Sequence, residues 1–142
     1  MGESRFGPQA LSLLRIVTAL LFLQHGTGKL FGFPPLGMNP PVLSLYWIAG
    51  VIEILGSLLL IFGLASRPVA LLLSGEMAVG YWMVHAPQST FPLINKGEGA
   101  ILFCFIFLLI ATAGPGPWSL DASRKKTVVQ TEDSTGEPLP EG

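Results

Sequence analysis

Hydrophobic residues fall into four long blocks, separated by short runs of glycine, proline and polar residues. The first block reads ALSLLRIVTALLFLQHGTGKLFG, from Ala10 to Gly32. Pro8 suits the first turn of a helix, where its missing N–H is not needed, so a helix is expected over 8–31. The stretch GFPPLGMNPP, ending at Pro41, is a stiff, turn-rich break. A second helix is expected over 42–62, stopping at Gly63, and the short GLASRP linker makes it an antiparallel neighbour of the third. Pro68 opens that third helix, expected to reach Ala86 just before Pro87. After the loop PQSTFPLINKG, a fourth helix starts at Gly97 or Glu98 and runs to Ala113, where GPGP ends it. Each block is close to the ~20 residues that cross a hydrocarbon layer, the fourth being the shortest. The pattern predicts an all-α polytopic membrane protein, a four-transmembrane-helix antiparallel bundle over 8–121. A short tail precedes it (1–7), and a polar tail with scattered proline, glycine and charge follows it (122–142), expected to be disordered.

Composition agrees. Of 142 residues, 50 % are hydrophobic and 12 % charged, against about 25 % charged in soluble domains. The net charge of −1 gives no footprint for nucleic acid. Arg5, Arg67, Arg124, Lys125 and Lys126 fall on the side that holds both termini, whereas only Lys29 and Lys96 fall on the other. The positive-inside bias therefore predicts cytoplasmic termini. Arg15 interrupts the first apolar run and no A-x-A-like site follows, so we read that run as a span and not as a signal peptide. The one cysteine, Cys104, lies in an apolar run and reads as a small buried hydrophobe.

Charges inside the apolar blocks are the candidate chemistry, because polar groups in a lipid-facing helix are costly unless partnered. Between Pro8 and Trp118 the acids are Glu53, Glu76 and Glu98 alone. Counting 1.5 Å per residue from each helix end puts Arg15, Glu53 and Glu76 at about 10–15 Å. A buried ionic network of one guanidinium between two carboxylates is expected there, either fixing helix register or relaying protons. Glu53 lies in a stripe of small residues, Ala49, Gly50, Gly56 and Ser57, which points it towards a neighbouring helix. A second polar layer, at about 25 Å, contains Gln24, His25, Lys29, His85 and Glu98, with Lys96 close by. Two imidazoles beside a carboxylate and ammonium groups fit the carbonyls of a quinone head group and its protons, or a small anion, or plain anchoring at the outer interface. Glu76 and His85 are nine residues apart, on opposite faces of an ideal helix, so one pocket holds both only if helix three bends near Gly75 or Gly80. Two histidines are too few to argue for haem, and the ligands are too few for a closed zinc site, so no metal is assigned. No phosphate loop, hydrolase elbow or HExxH motif is present.

The order of LLRIVTALLFLQHGTGKLFGF, IAGVIEILGSLLLIFGLASRPVALLL, VH at 84–85 and GEGAILFCFIFLLIATAGPGPWSLD resembles the DoxX family of small four-helix membrane proteins, over roughly Ala10 to Asp121. The resemblance implies a bacterial plasma-membrane (inner-membrane) protein and a component of an oxidoreductase system linked to quinone and to sulfur or thiol chemistry. Arg15, His25, Lys29, Glu53, His85 and Glu98 match the family's polar positions. Asp121 closes the SLD motif and is expected to cap the segment after it. With no cofactor motif of its own, such a chain implies a soluble redox partner besides the lipid bilayer, and it leaves room for a homo-oligomer. The contrasting readings are a small transporter or channel gated by the Arg15–Glu53–Glu76 layer, and a structural assembly protein without redox chemistry.

Overall fold

The computed structural model describes residues 4–134, the Glu132 side chain excepted, and these residues form helices and loops without a strand. The first helix, α1, covers Gly7–Phe31, with Pro8 in its first turn and Gly32 closing it at φ 67°. A loop without regular structure leads to α2, Leu45–Phe62. That helix starts three residues later than its apolar block because Ser44 caps it: the Ser44 hydroxyl accepts the Trp47 N–H at 3.3 Å. Gly63, at φ 70°, closes α2, and the Leu64 N–H reaches back to the Leu59 carbonyl at 2.9 Å, the paired-bond ending of a glycine-terminated helix.

The chain reverses at once into α3, Ser66–Gly80, which runs on as a π-helical turn over Tyr81–His85. There the Ala86 N–H bonds to the Tyr81 carbonyl, five residues back, at 2.9 Å. After a loop and the single turn α4, Pro92–Asn95, comes α5, Glu98–Ala113. Last is α6, Leu120–Ser134.

Four helices pack in a ring: α1 on α2, α2 on α3, α3 on α5, and α5 back on α1. Ala19 and Phe22 of α1, Leu60 of α2, Ala70 and Leu73 of α3, and Phe107 and Ile110 of α5 form the shared core. Phe22 meets Phe107 edge-on at 4.9 Å between ring centres. Small residues set the spacing. A Cβ on Gly26 would lie 2.8 Å from the Gly50 carbonyl oxygen, so the α1 and α2 backbones touch where neither carries a side chain. The outer surface is apolar: Leu13, Leu20, Leu55, Leu102 and Phe105 are each 48–64 % exposed. By length and composition, α1 and α2 suffice to cross a membrane, and α5 is a shorter apolar helix.

Two expectations about the tail are corrected. Residues 122–134 lie in a helix, α6, rather than disordered chain; alanine, lysine, arginine and glutamine are adequate helix formers without a buried face. The remainder, 135–142, lies outside the described residues. Asp121 does not cap α6. Its carboxylate accepts the N–H groups of Ala65 at 2.9 Å and Ser66 at 2.8 Å, capping α3 from more than fifty positions away. Burial alone would raise the Asp121 carboxyl, but the N–H and hydroxyl of Ser66, the Ala65 N–H and nearby Arg124 outweigh it and hold it below the ordinary aspartate value.

Candidate ligand cavity

The expected Arg15–Glu53–Glu76 layer is not formed. Arg15 is fully buried, but its guanidinium donates to the Pro115 carbonyl and, at 2.5 Å, to the Trp118 carbonyl, in the turn between α5 and α6. The reason is axial register. A Cβ on Gly63 would lie 3.1 Å from Arg15 Nη1, so the Arg15 guanidinium is level with the residue that closes α2, not with the middle of that helix. Helix α1 starts about two turns beyond that end, so depths counted from each helix's own end do not correspond.

Glu53 instead faces Lys29. Lys29 Nζ lies 2.5 Å from Glu53 Oε1, with the Glu53 side chain 1 % exposed. The two are brought together by the Gly26–Gly50 crossing, which lets α1 and α2 approach within reach of a lysine stem. Glu53 Oε2 is buried without a partner among the described residues, and so are both carboxylate oxygens of Glu76. Glu76 interacts electrostatically with both Glu53 and Lys29.

These groups line a cavity of about 1000 Å³ between α1–α2 and α3–α5. Its polar side chains include His25, Lys29, Glu53, Glu76, His85 and Lys96; Ile52, Leu71, Leu72, Met77, Met83 and Phe103 are among those that make up the apolar rest. His25, Lys29, His85 and Lys96 of the upper polar layer and the two interior glutamates thus line one cavity. The π-helical turn makes this possible. One extra residue in a turn rotates the chain beyond it by about 100°, so His85 comes round towards the face of Glu76.

His25 packs edge-on against Phe103, with ring centres 5.6 Å apart. His85 is held twice: Nδ1 lies 2.9 Å from the Asn95 carbonyl oxygen, and its ring stacks on Tyr81 at 6.2 Å. Lys96 is exposed, in the left-handed conformation at φ 58°. Two expected members lie outside the lining, and both are exposed. Gln24 stands on the outer side of α1, and Glu98 sits in the first turn of α5.

Asn95 was not anticipated. It is 1 % exposed, and its amide donates to the Ser89 carbonyl at 2.8 Å and the Tyr81 hydroxyl at 3.3 Å while its oxygen accepts the Gly97 N–H at 2.7 Å. One side chain thus fastens the loop before α5 to the π-helical turn that carries His85. The only trace in the sequence is a polar residue in the turn-like stretch INKG.

Four helices packed around a half-open amphipathic cavity define an all-helical bundle class. Within that class the chain belongs to the DoxX family, whose profile matches residues 10–86. It is 42 % identical over 123 residues to a Haemophilus influenzae protein described as uncharacterized, covering 82 % of this chain and 92 % of that one. It is 32 % identical over 127 residues to the inner membrane protein YphA of Escherichia coli K12, covering 80 % of this chain and 89 % of that one. No solved structure matches the chain.

Proposed function

We propose that the protein is a four-span component of a bacterial inner membrane that binds a quinol head group in the cavity and serves a quinone-linked redox system. The apolar outside around a charged interior supports a hydrocarbon surround, and the relative named inner membrane protein YphA supports the location. Both termini lie in the cytoplasm in this reading, with Arg67, Arg124 and Lys125 at that end.

The observation that carries the ligand assignment is the set of three carboxylate oxygens, Glu53 Oε2 and both of Glu76, unpartnered among the described residues in a largely apolar cavity. Acceptors buried without donors favour a ligand that brings donors. A hydroquinone supplies two hydroxyl groups on an apolar ring, and its tail continues among leucine and methionine side chains. On oxidation its protons pass to Glu76 and the imidazoles, and its electrons pass to a soluble partner protein. The cavity volume is in the range of small-molecule sites.

The test is titration of purified protein in nanodiscs with a short-tailed quinol and the matching quinone, followed by tryptophan fluorescence. The expected result is tighter binding of the quinol and about tenfold weaker quinol binding in Glu76→Gln, equivalent to one lost charge-assisted hydrogen bond. Glu98→Ala, outside the lining, should bind as the parent does. Absence of quinol binding, or equal binding by Glu76→Gln, refutes the assignment.

A further inference from the structure

The end of the bundle that carries Arg15 and Gly63 has a second concavity, of about 460 Å³, lined by the α2–α3 junction, the turn after α5 and the first turns of α6. Arg67, Arg124 and Lys125 all line it, against a single carboxylate, that of Asp121. We propose that this pocket binds the phosphate of an anionic phospholipid head group.

Four features support it. The Asp121 carboxylate is bonded to the N–H groups of Ala65 and Ser66, and although it attracts Arg124, three cations against one carboxylate leave the pocket with a positive excess. Arg67 is held in place, its Nη1 donating to the Ala111 carbonyl at 3.1 Å and the Thr112 carbonyl at 2.5 Å, and this leaves Nη2 and Nε for a ligand. Nη2 lies beside Gly114, where a Cβ would come within 3.1 Å of it and crowd the guanidinium. None of the three cations makes an ion pair among the described residues. A guanidinium with a fixed plane and free edge, flanked by two flexible cations, suits tetrahedral phosphate oxygens. Trp118, 55 % exposed in the adjoining turn, is the residue type that sits at a membrane interface beside such head groups.

Free inorganic phosphate has the same recognition chemistry. The lipid source rests on the membrane placement above, and the two are separable. Protein that stays in solution without detergent refutes the placement, whatever the pocket binds.

The experiment uses the full chain, stripped of lipid in an uncharged detergent, and titrates it with short-chain phosphatidylglycerol, short-chain phosphatidylcholine and inorganic phosphate. Phosphatidylglycerol should bind, with phosphatidylcholine much weaker. R124Q/K125Q should weaken phosphatidylglycerol binding about 30-fold, from two basic residues near an anionic head group. Lys126→Gln removes the same charge from α6 outside the pocket and should change binding less than about threefold. Thermal midpoints of the variants control for folding, since both altered positions are exposed. Inorganic phosphate binding as tightly as the lipid identifies the free ion as the ligand of the same site. Equal binding of both lipids, retained binding in R124Q/K125Q, or a loss in Lys126→Gln as large as in the pair overturns the proposal.

Discussion

Lys29→Met is the most informative single change in the cavity. Methionine keeps the length of the stem and removes the ammonium from Glu53 Oε1, 2.5 Å away. Glu53 is 1 % exposed and its other oxygen already lacks a partner, so the carboxylate has no second donor among the described residues. Removing one member of a buried ion pair costs about 3–5 kcal/mol, whereas replacing both members with apolar residues of similar volume is often neutral or stabilising. Lys29 is 15 % exposed, and that partial contact with solvent places its loss near the lower figure, about 3 kcal/mol. The double variant Lys29→Met/Glu53→Leu should recover most of this loss, leaving it within about 1 kcal/mol of the parent. Equilibrium unfolding in mixed micelles, run on the parent, both single variants and the double, measures the coupling directly. Single variants within about 0.5 kcal/mol of the parent would refute the argument. So would a double variant as unstable as the sum of the two singles, because then the pair does not interact.

Three other outcomes are expected from the packing and the caps. Asp121→Asn weakens the cap on α3 and should lower stability by about 1 kcal/mol at neutral pH. The depressed Asp121 value means its stabilisation is present above the unfolded aspartate value of about 3.9 and is lost as pH falls through the folded value, so the gap between parent and variant should close below about pH 4 in acid unfolding curves. Gly26→Val forces a side chain against the Gly50 carbonyl and Ile54, and should cost about 1–3 kcal/mol in thermal unfolding, with Gly26→Ala milder. Asn95→Ala removes three hydrogen bonds at a site 1 % exposed; it should lower stability by about 2 kcal/mol and raise amide exchange at Gly97, with little change across α1 and α2.

The four apolar blocks were legible because each is bounded by glycine or proline, and the helices α1, α2, α3 and α5 lie within a few residues of them. Membership in one cavity was partly legible. His25, Lys29 and His85 were placed at one level, and the condition for Glu76 to join them, a departure from ideal geometry near Gly80, is met by the turn over Tyr81–His85. Axial register was not legible. Hydropathy marks where a helix begins and ends but not which residues of two helices stand level, and an offset of two turns turned a presumed Arg15–Glu53 contact into separate partnerships with Trp118 and Lys29. Asp121 and Asn95 escaped for another reason. Apart from the Tyr81 hydroxyl bonded by Asn95, their partners are backbone groups, Ala65 and Ser66 for one and Gly97 and Ser89 for the other, and backbone donors and acceptors occur at almost every position.

Arg15 has a consequence for the order in which the protein is made. Its carbonyl partners at Pro115 and Trp118 lie 100 and 103 residues later in the chain. The first helix therefore leaves the ribosome with a guanidinium whose acceptors do not yet exist. Those acceptors arrive only when synthesis has passed the fourth apolar block. Asp121, three residues after Trp118, brings the cap for α3 at almost the same moment. One seven-residue stretch, Pro115–Asp121, thus completes two helices translated long before it, and the last apolar block is followed at once by the latch that closes the whole bundle.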